Sequence, residues 1–214
     1  MELFSLPVST YSAKVRIALG LKNIDCTFSP PPGGYSTAEY MQLVPLGTIP
    51  ALRVGEAYFS ESDVIMEYLE DAYPAHSLLS DDNLKRARHR FLARYHDLWL
   101  EPHLRRTFAH CDPATRVQAE LDDHLNKFEE RLAKLDELFT AQPFMVDENI
   151  GYADCAFPAT IELAEILLPL FDRELKLGPK MTAWRAAVLA NPVVKAVTDE
   201  SRAATLEWMN SGGG

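Results

Sequence analysis

The 214-residue chain contains 47% apolar and 24% charged residues, a composition typical of a globular protein with enough core for one large domain or two small ones. Its net charge of −10 argues against nonspecific binding to nucleic acid and against docking on an anionic membrane surface. No uncharged apolar run approaches the roughly 20 residues of a membrane span, so we expect none. The start, Met1 to Phe4, lacks the basic segment that a secretory signal would have.

The first 72 residues predict a compact α/β unit with the order strand–helix–strand–helix–strand–strand–helix. Ser12 is a candidate N-cap for the first helix, Ala13 to Leu21. The other predicted elements are strands at 2–6 and 25–28, a short helix over 36–43, a hairpin of strands at 51–53 and 58–59, and a helix that begins at Ser60 or Ser62.

Beyond about Ser80 the chain carries only helical patterns. These patterns predict helices over 83–108, from 112–113 onward, over 155–171, over 180–190 and from 192 onward. We therefore expect an α/β domain at residues 1–76 and an all-helical domain at residues 81–210. The last four residues, 211–214, are typical of a flexible tail.

Three cysteines are odd in number, widely spaced and without a C-x-x-C pair: Cys26, Cys111 and Cys155. This spacing indicates neither a disulfide framework nor a zinc site. We expect buried, reduced thiols in a cytoplasmic protein that holds no metal.

The loop before the third strand contains two prolines and a glycine: Pro45, Gly47 and Pro50. Pro50 has no N–H and therefore suits the first residue of a strand. The backbone just before it is expected to be extended, which would leave Ile49 free to pair with an extended peptide. An ordinary loop with two prolines is the alternative.

Two further stretches are expected at the same edge of the sheet as Ile49. One is 9–12, where a strand leads into a helix N-terminus that favours a negative charge. The other is Glu61-Ser62, where the serine could bind a carboxylate through its hydroxyl and amide. Each serine could instead be a simple helix cap. Together the three stretches form a candidate site with an anion hole, a peptide-pairing edge and a carboxylate holder.

The order of these motifs resembles that of cytosolic glutathione transferases over nearly the whole chain. The first motif is most similar to the Ser-type zeta and theta classes, the former including maleylacetoacetate isomerase. Three departures are Thr10-Tyr11 in place of the zeta Ser-Cys pair, Val44 where many relatives have Asn before the proline, and Gly151 where a Ser or Thr usually caps the buried helix. The matching motifs are Ser9-x-x-Ser12-x-Lys14-Val15-Arg16-Ile17-Ala18-Leu19, Pro45-x-Gly47-x-Ile49-Pro50-x-Leu52, Glu61-Ser62-x-x-Ile65-x-x-Tyr68-Leu69 and Gly151-x-Ala153-Asp154.

The resemblance implies a thioredoxin-like N-terminal domain with a cis-proline at Pro50, an all-helical C-terminal domain, glutathione as cosubstrate, and usually a homodimer. Ser9 falls on the position of the catalytic serine, which donates a hydrogen bond to the sulfur. Tyr11 and Ser12 are alternative hydroxyl donors. The resemblance also implies that the Ile49 backbone pairs with the cysteinyl part of glutathione and that Glu61 and Ser62 hold its γ-glutamyl group.

A second substrate is expected between the domains, where pockets commonly form. The candidate residues lie on the long helix that would face Ser9, and the alternative is that they belong to a solvent- or dimer-facing surface. An inward-pointing Arg105 or Arg106 would favour an acidic electrophile. The candidates are Arg94, Tyr95, Trp99, Arg105, Arg106 and His110.

The residues and the resemblance together lead us to expect an enzyme that stabilises the glutathione thiolate and adds it to a small hydrophobic or acidic electrophile. One alternative keeps the same site and returns glutathione unchanged, which gives cis–trans isomerisation of an unsaturated acid. The other is a non-enzymatic interaction protein on the same scaffold.

Overall fold

The computed structural model describes residues 1–211, so the glycines of the predicted tail lie outside the described residues. Four strands form one sheet within that range, in the order β2-β1-β3-β4. Strand β1 is parallel to β2 and antiparallel to β3, and β3 and β4 form the predicted hairpin. The strands are β1 (Glu2–Phe4), β2 (Thr27–Ser29), β3 (Ala51–Val54) and β4 (Ala57–Ser60).

Helices pack against part of the sheet. Helices also make up the second half of the chain. Helices α1 and α3 pack on each other, and α7 and α9 pack on α1. The predicted fold class, a thioredoxin-like domain followed by an all-helical one, is confirmed. The helices are α1 (Thr10–Leu21), α2 (Ala38–Met41), α3 (Ser62–Ala72), α4 (Asn83–Tyr95), α5 (Glu101–Arg106), α6 (Gln118–Leu138), α7 (Pro158–Leu167), α8 (Pro179–Leu189) and α9 (Pro192–Asn210).

The prediction of Ser12 as the first N-cap is wrong, because the helix begins three residues earlier. Ser9 has an extended backbone and occupies the cap, and its Oγ accepts from the Ser12 N–H at 3.1 Å. Both serines suit a cap by residue type, so the sequence alone does not separate them. The consequence is that Ser9 lies directly at the helix N-terminus.

The predicted helix over 83–108 is interrupted. A π-helical turn, His96–Leu100, separates α4 from α5, and a 3₁₀ turn follows at Thr107–His110. Pro102 lies in the first turn of α5 and has no N–H for the carbonyl of Leu98, which permits the wider turn. The wide turn places Asp97 and Leu98 at the sheet edge described below.

Helix α6 buries the apolar face that its spacing predicts, although it starts later than expected. Val117 is its N-cap and is 48% exposed. The predicted helix over 155–171 consists of α7 flanked by 3₁₀ turns at Ala153–Cys155 and Leu168–Phe171. Each helix of the described residues is too short or too polar to cross a bilayer.

Candidate functional site

A cavity of about 550 Å³ opens between the edge of the sheet and the α4–α5 segment. All three predicted stretches of the α/β unit contribute to its wall. Four residues from the π-helical turn and the two helices beside it, α4 and α5, close the opposite side. The lining residues are Leu6, Val8, Ser9, Tyr11, Tyr35, Ser36, Thr48, Ile49, Pro50, Glu61, Ser62, Arg94, Asp97, Leu98 and Arg105.

Ser9 presents a hydroxyl to this cavity from the start of α1. The side chain is 92% buried, and its oxygen accepts from the Ser12 N–H. Among residues 1–211 no acceptor takes the proton of that hydroxyl. Since the oxygen is already oriented by the helix, Ser9 is preorganised to donate its O–H into the cavity.

The Tyr11 hydroxyl also lies at the cavity, but it is already engaged. It donates to Glu101 Oε2 at 2.7 Å. Burial, together with the negative charge of Glu101, raises the pKa of Tyr11 well above its usual range. The phenol is therefore neutral and directed towards Glu101.

Ser12 is fully buried, and within the described part of the chain the cavity wall does not include it. Its Oγ has no hydrogen-bond partner among residues 1–211. The three candidate hydroxyls thus differ: Ser9 has a free proton at the cavity, Tyr11 donates to a carboxylate, and Ser12 lies behind the wall.

Glu101 is almost fully buried beside the cavity and joins several side chains near its wall. Its Oε1 accepts from Thr10 Oγ1 at 2.9 Å and from Arg105 Nε and Nη2 at 2.9 and 2.6 Å. Arg105 is 39% exposed and lines the cavity. The carboxylate therefore fixes the guanidinium group beside the cavity and partly balances its charge.

The Ile49–Pro50 peptide bond is cis, which confirms the expectation from the resemblance. The loop is fixed by the Tyr40 hydroxyl, which donates to Thr48 O at 3.1 Å, and by the Ser36 N–H, which donates to Gly47 O at 2.8 Å. Within residues 1–211 the N–H and C=O of Ile49 make no hydrogen bond. A backbone edge is thus open to an extended ligand.

Glu61 has φ = 75°, a left-handed backbone conformation that is uncommon for a residue with a side chain. It is exposed at the cavity, and the next residue, Ser62, is buried at the first position of α3. No side chain of the described residues caps this helix. The first amides of α3 and the Ser62 hydroxyl form an opening that favours an anion.

Two charged residues at this end of the cavity were not predicted from the sequence. Asp97 lines the cavity from the π-helical turn. Lys14 on α1 contacts Asp97, with its Nζ 2.9 Å from Asp97 Oδ2. Burial acts to raise the pKa of Asp97, but hydrogen bonding to His96 and the charge of Lys14 hold that pKa well below its usual range. Lys14 lies within the apolar run of α1, and this sequence pattern could have predicted a buried charge.

Four of the six predicted second-substrate residues do not line the cavity. The Tyr95 hydroxyl donates to Arg131 O at 2.9 Å, and Trp99 packs under the guanidinium group of Arg131. Arg106 is exposed. Among the described residues, the cavity wall includes Arg94 and Arg105 but not Tyr95, Trp99, Arg106 or His110.

Comparison with protein-family models matches both halves of the chain. Residues 3–77 match the N-terminal domain of glutathione S-transferases, and residues 96–192 match the C-terminal domain. Together the two matches cover most of the chain. The chain belongs to the glutathione S-transferase family.

Curated relatives are similar mainly to the N-terminal part. Maleylacetoacetate isomerase from Pseudomonas aeruginosa is 42% identical over 99 residues, which is 44% of this chain and 47% of that protein. A zeta-class glutathione S-transferase from Euphorbia esula is 40% identical over 90 residues, which is 41% of this chain and 40% of that protein. The chain thus spans less than half the length of each of these two relatives.

Solved structures share the fold over nearly the full length. A tau-class glutathione S-transferase from mango, Mangifera indica, superposes with a TM-score of 0.79 at 24% identity and covers 96% of this chain and 97% of its own. A bacterial maleyl pyruvate isomerase of the zeta class gives 0.77 at 21% identity, with 94% and 98% covered. The two-domain fold is therefore that of this transferase family.

Proposed function

We propose that this glutathione S-transferase binds glutathione in the cavity, keeps its sulfur as a thiolate through Ser9, and adds it to a small electrophile. The observation that carries the proposal is the Ser9 hydroxyl, which is oriented at the N-terminus of α1 and has a proton free to donate into the cavity. Bound glutathione would supply the nucleophilic sulfur.

Three features of the cavity fit an extended tripeptide with a charged end. The open N–H and C=O of Ile49 fit the backbone of its cysteinyl residue. The start of α3, with Ser62, fits a carboxylate, and the acidic Glu61 beside it fits an ammonium group. These positions support glutathione binding because together they offer partners for the peptide backbone and for the zwitterionic end of the ligand.

The energy that Ser9 has to provide is within reach of one hydrogen bond. A free thiol has a pKa of about 8.5, and lowering it by about 2 corresponds to about 2.7 kcal/mol. One hydrogen bond to a charged group contributes about 1.5–3 kcal/mol. A helix N-terminus contributes about 0.3–1 kcal/mol more.

The electrophile is proposed to be acidic. Arg94 and Arg105 both line the cavity, and their guanidinium groups are 52% and 39% exposed. An exposed guanidinium group can bind a carboxylate with two parallel hydrogen bonds.

A second candidate function is glutathione-dependent isomerisation of an unsaturated acid. The similarity to the maleylacetoacetate isomerase of Pseudomonas aeruginosa favours it. Thr10 and Tyr11 replace the Ser-Cys pair of the zeta motif, so conjugation is the first proposal. The two differ in stoichiometry, because conjugation consumes glutathione and isomerisation does not.

We also propose that the protein is a homodimer, that it is cytoplasmic, and that its domains comprise residues 1–76 and 81–210. An interaction protein without activity is disfavoured by the open γ-glutamyl end of the cavity.

The test is isothermal titration with glutathione, followed by assays in which glutathione and electrophile are both quantified. We expect saturable binding and loss of glutathione equal to product formed. Product without loss of glutathione would select the isomerase. No binding at millimolar glutathione would overturn the proposed enzymatic function and favour an interaction protein.

A further inference from the structure

Lys14 is a buried cation that lies behind Ser62, at the start of α3, where the cavity favours an anion. Its side chain is fully buried, and its Nζ lies 3.4 Å from Ser62 Oγ and 2.9 Å from Asp97 Oδ2. It also pairs with Asp63. Within the described residues Lys14 is not part of the cavity wall, so it acts on the cavity through Ser62 and the two carboxylates.

The burial of this lysine requires a reason, because an uncompensated ammonium group in a protein interior is strongly unfavourable. The two acidic neighbours supply compensation, and each has a second cationic or imidazole partner. Arg94 Nη1 lies 3.3 Å from Asp63 Oδ2, and His96 Nδ1 lies 2.7 Å from Asp97 Oδ1. Without Lys14, two carboxylates would lie close to Ser62 with less positive charge to balance them.

That imbalance matters for ligand binding at Ser62. A ligand carboxylate placed on the first turn of α3 would approach Asp63 and Asp97 and be repelled by both. The ammonium group of Lys14 lies on the protein side of the Ser62 hydroxyl and offsets this repulsion. The Ser62 hydroxyl lies 3.5 Å from Asp97 Oδ2, a weak contact that it can exchange for a ligand carboxylate.

We propose that Lys14 is the positioning residue that makes this site selective for a free γ-glutamyl α-carboxylate. It holds Ser62 and neutralises Asp63 and Asp97 beneath the carboxylate, while the exposed Glu61 receives the neighbouring ammonium group of the ligand. This inference rests on the proposed binding of glutathione. Its consequence is discrimination between glutathione and an analogue whose γ-glutamyl α-carboxylate is an amide.

The chain offers a matched control on the same helix. Lys22 is also a fully buried lysine, at the C-terminal end of α1, and its Nζ pairs with Glu70 Oε1 at 2.8 Å. Within residues 1–211 the cavity wall includes neither Lys22 nor Glu70. K22M therefore removes a buried lysine and its ion pair without touching the proposed site.

The experiment measures the dissociation constants of glutathione and of its α-amide for the wild type, K14M, K14R and K22M, with KM and kcat for the glutathione reaction. We expect the wild type to prefer glutathione over the amide by about tenfold to a hundredfold, because one hydrogen bond to a charged group accounts for that range. K14M should lose most of this preference and raise KM more than it lowers kcat. K14R should retain it, and K22M should lower only the thermal stability.

If K14M does not fold, K14M/D63N removes the cation together with one of its anionic partners and should lose part of the preference, because Asp97 then lies beside Ser62 without the Lys14 ammonium group. Equal affinity of the wild type for glutathione and the amide would overturn the inference while leaving glutathione binding intact. An unchanged preference for glutathione over the amide in folded K14M or K14M/D63N would also overturn the inference. Absence of glutathione binding to the wild type would overturn both this inference and the proposed function.

Discussion

His89 accepts a hydrogen bond through its Nδ1 from the N–H of Ala153, at 3.3 Å, and so caps the turn that leads into the buried helix α7. Its Nε2 lies 3.1 Å from Asp147 Oδ2, which fixes the ring orientation. Gly151 is required beside it, because a Cβ there would lie 2.5 Å from His89 Cε1 and 2.9 Å from Leu78 O. The departure from Ser or Thr at Gly151 is therefore matched by an imidazole that supplies the acceptor.

We expect Gly151→Ser and His89→Ala each to destabilise the protein, and the double variant to recover part of the loss. The serine alone overpacks against the imidazole, which costs about 1–3 kcal/mol. The alanine alone leaves the Ala153 N–H without its acceptor, which costs about 1–3 kcal/mol. Together, the serine hydroxyl can replace the imidazole. Urea unfolding of all four proteins gives the coupling energy, and strictly additive losses would contradict the exchange.

The same imidazole makes stability depend on pH. Burial lowers the pKa of His89, although Asp147 and Glu70 oppose the shift and Lys85 adds to it. A histidine with a lowered folded pKa contributes stability that is full above its unfolded pKa of about 6.5 and falls as the pH drops below that value. We expect the free energy of unfolding to decline more steeply below about pH 6.5 in the wild type than in the His89→Ala/Gly151→Ser variant. Parallel pH profiles of the two proteins would show that His89 does not cause the decline.

Arg105 and Arg106 are adjacent in sequence, yet only the former lines the cavity within the described chain. We expect Arg105→Ala to raise KM for an acidic electrophile by about tenfold or more, since it removes a charged hydrogen-bond donor and leaves Glu101 less balanced. KM for a neutral electrophile should change less. Arg106→Ala is the control and should alter neither KM. Equal effects of the two variants on acidic substrates would exclude Arg105 as a specificity residue.

Tyr11→Phe should affect stability more than the reactive thiol. The phenol donates to Glu101 at 2.7 Å, so its loss removes one donor from a buried carboxylate and costs about 1–3 kcal/mol. We expect the thiol pKa of bound glutathione to stay close to that of the wild type. Ultraviolet titration of the complex measures it, and a large rise would assign the sulfur contact to Tyr11 instead.

Local patterns in the sequence predicted most of the fold. The hairpin over Ala51–Ser60 follows from a glycine turn between apolar runs, and the buried face of α6 follows from its spacing. The π-helical turn at His96–Leu100 was not predicted, because a proline in a helical pattern does not determine whether the helix ends, kinks or widens.

The candidate site was predicted less completely than the fold. The open backbone at Ile49 follows from the proline position, and the place of Glu61 before α3 follows from the order of motifs. The left-handed backbone of Glu61 was not predicted. The partners of Lys14 lie 49 and 83 positions away in the chain, so no local spacing brings them together. The direction of side chains on the long helix, which separates Arg105 from Arg106, likewise depends on the tertiary packing.

The most direct test of the account is the thiol pKa of bound glutathione in the wild type, Ser9→Ala and Ser9→Thr. Ser9→Ala also loses an N-cap worth about 1 kcal/mol, so folding is verified first by circular dichroism. We predict a pKa near 6.5 in the wild type and in Ser9→Thr, and a return towards about 8.5 in folded Ser9→Ala, because only the alanine lacks a donor. A thiol pKa that is the same in the wild type and in Ser9→Ala would contradict the role of Ser9.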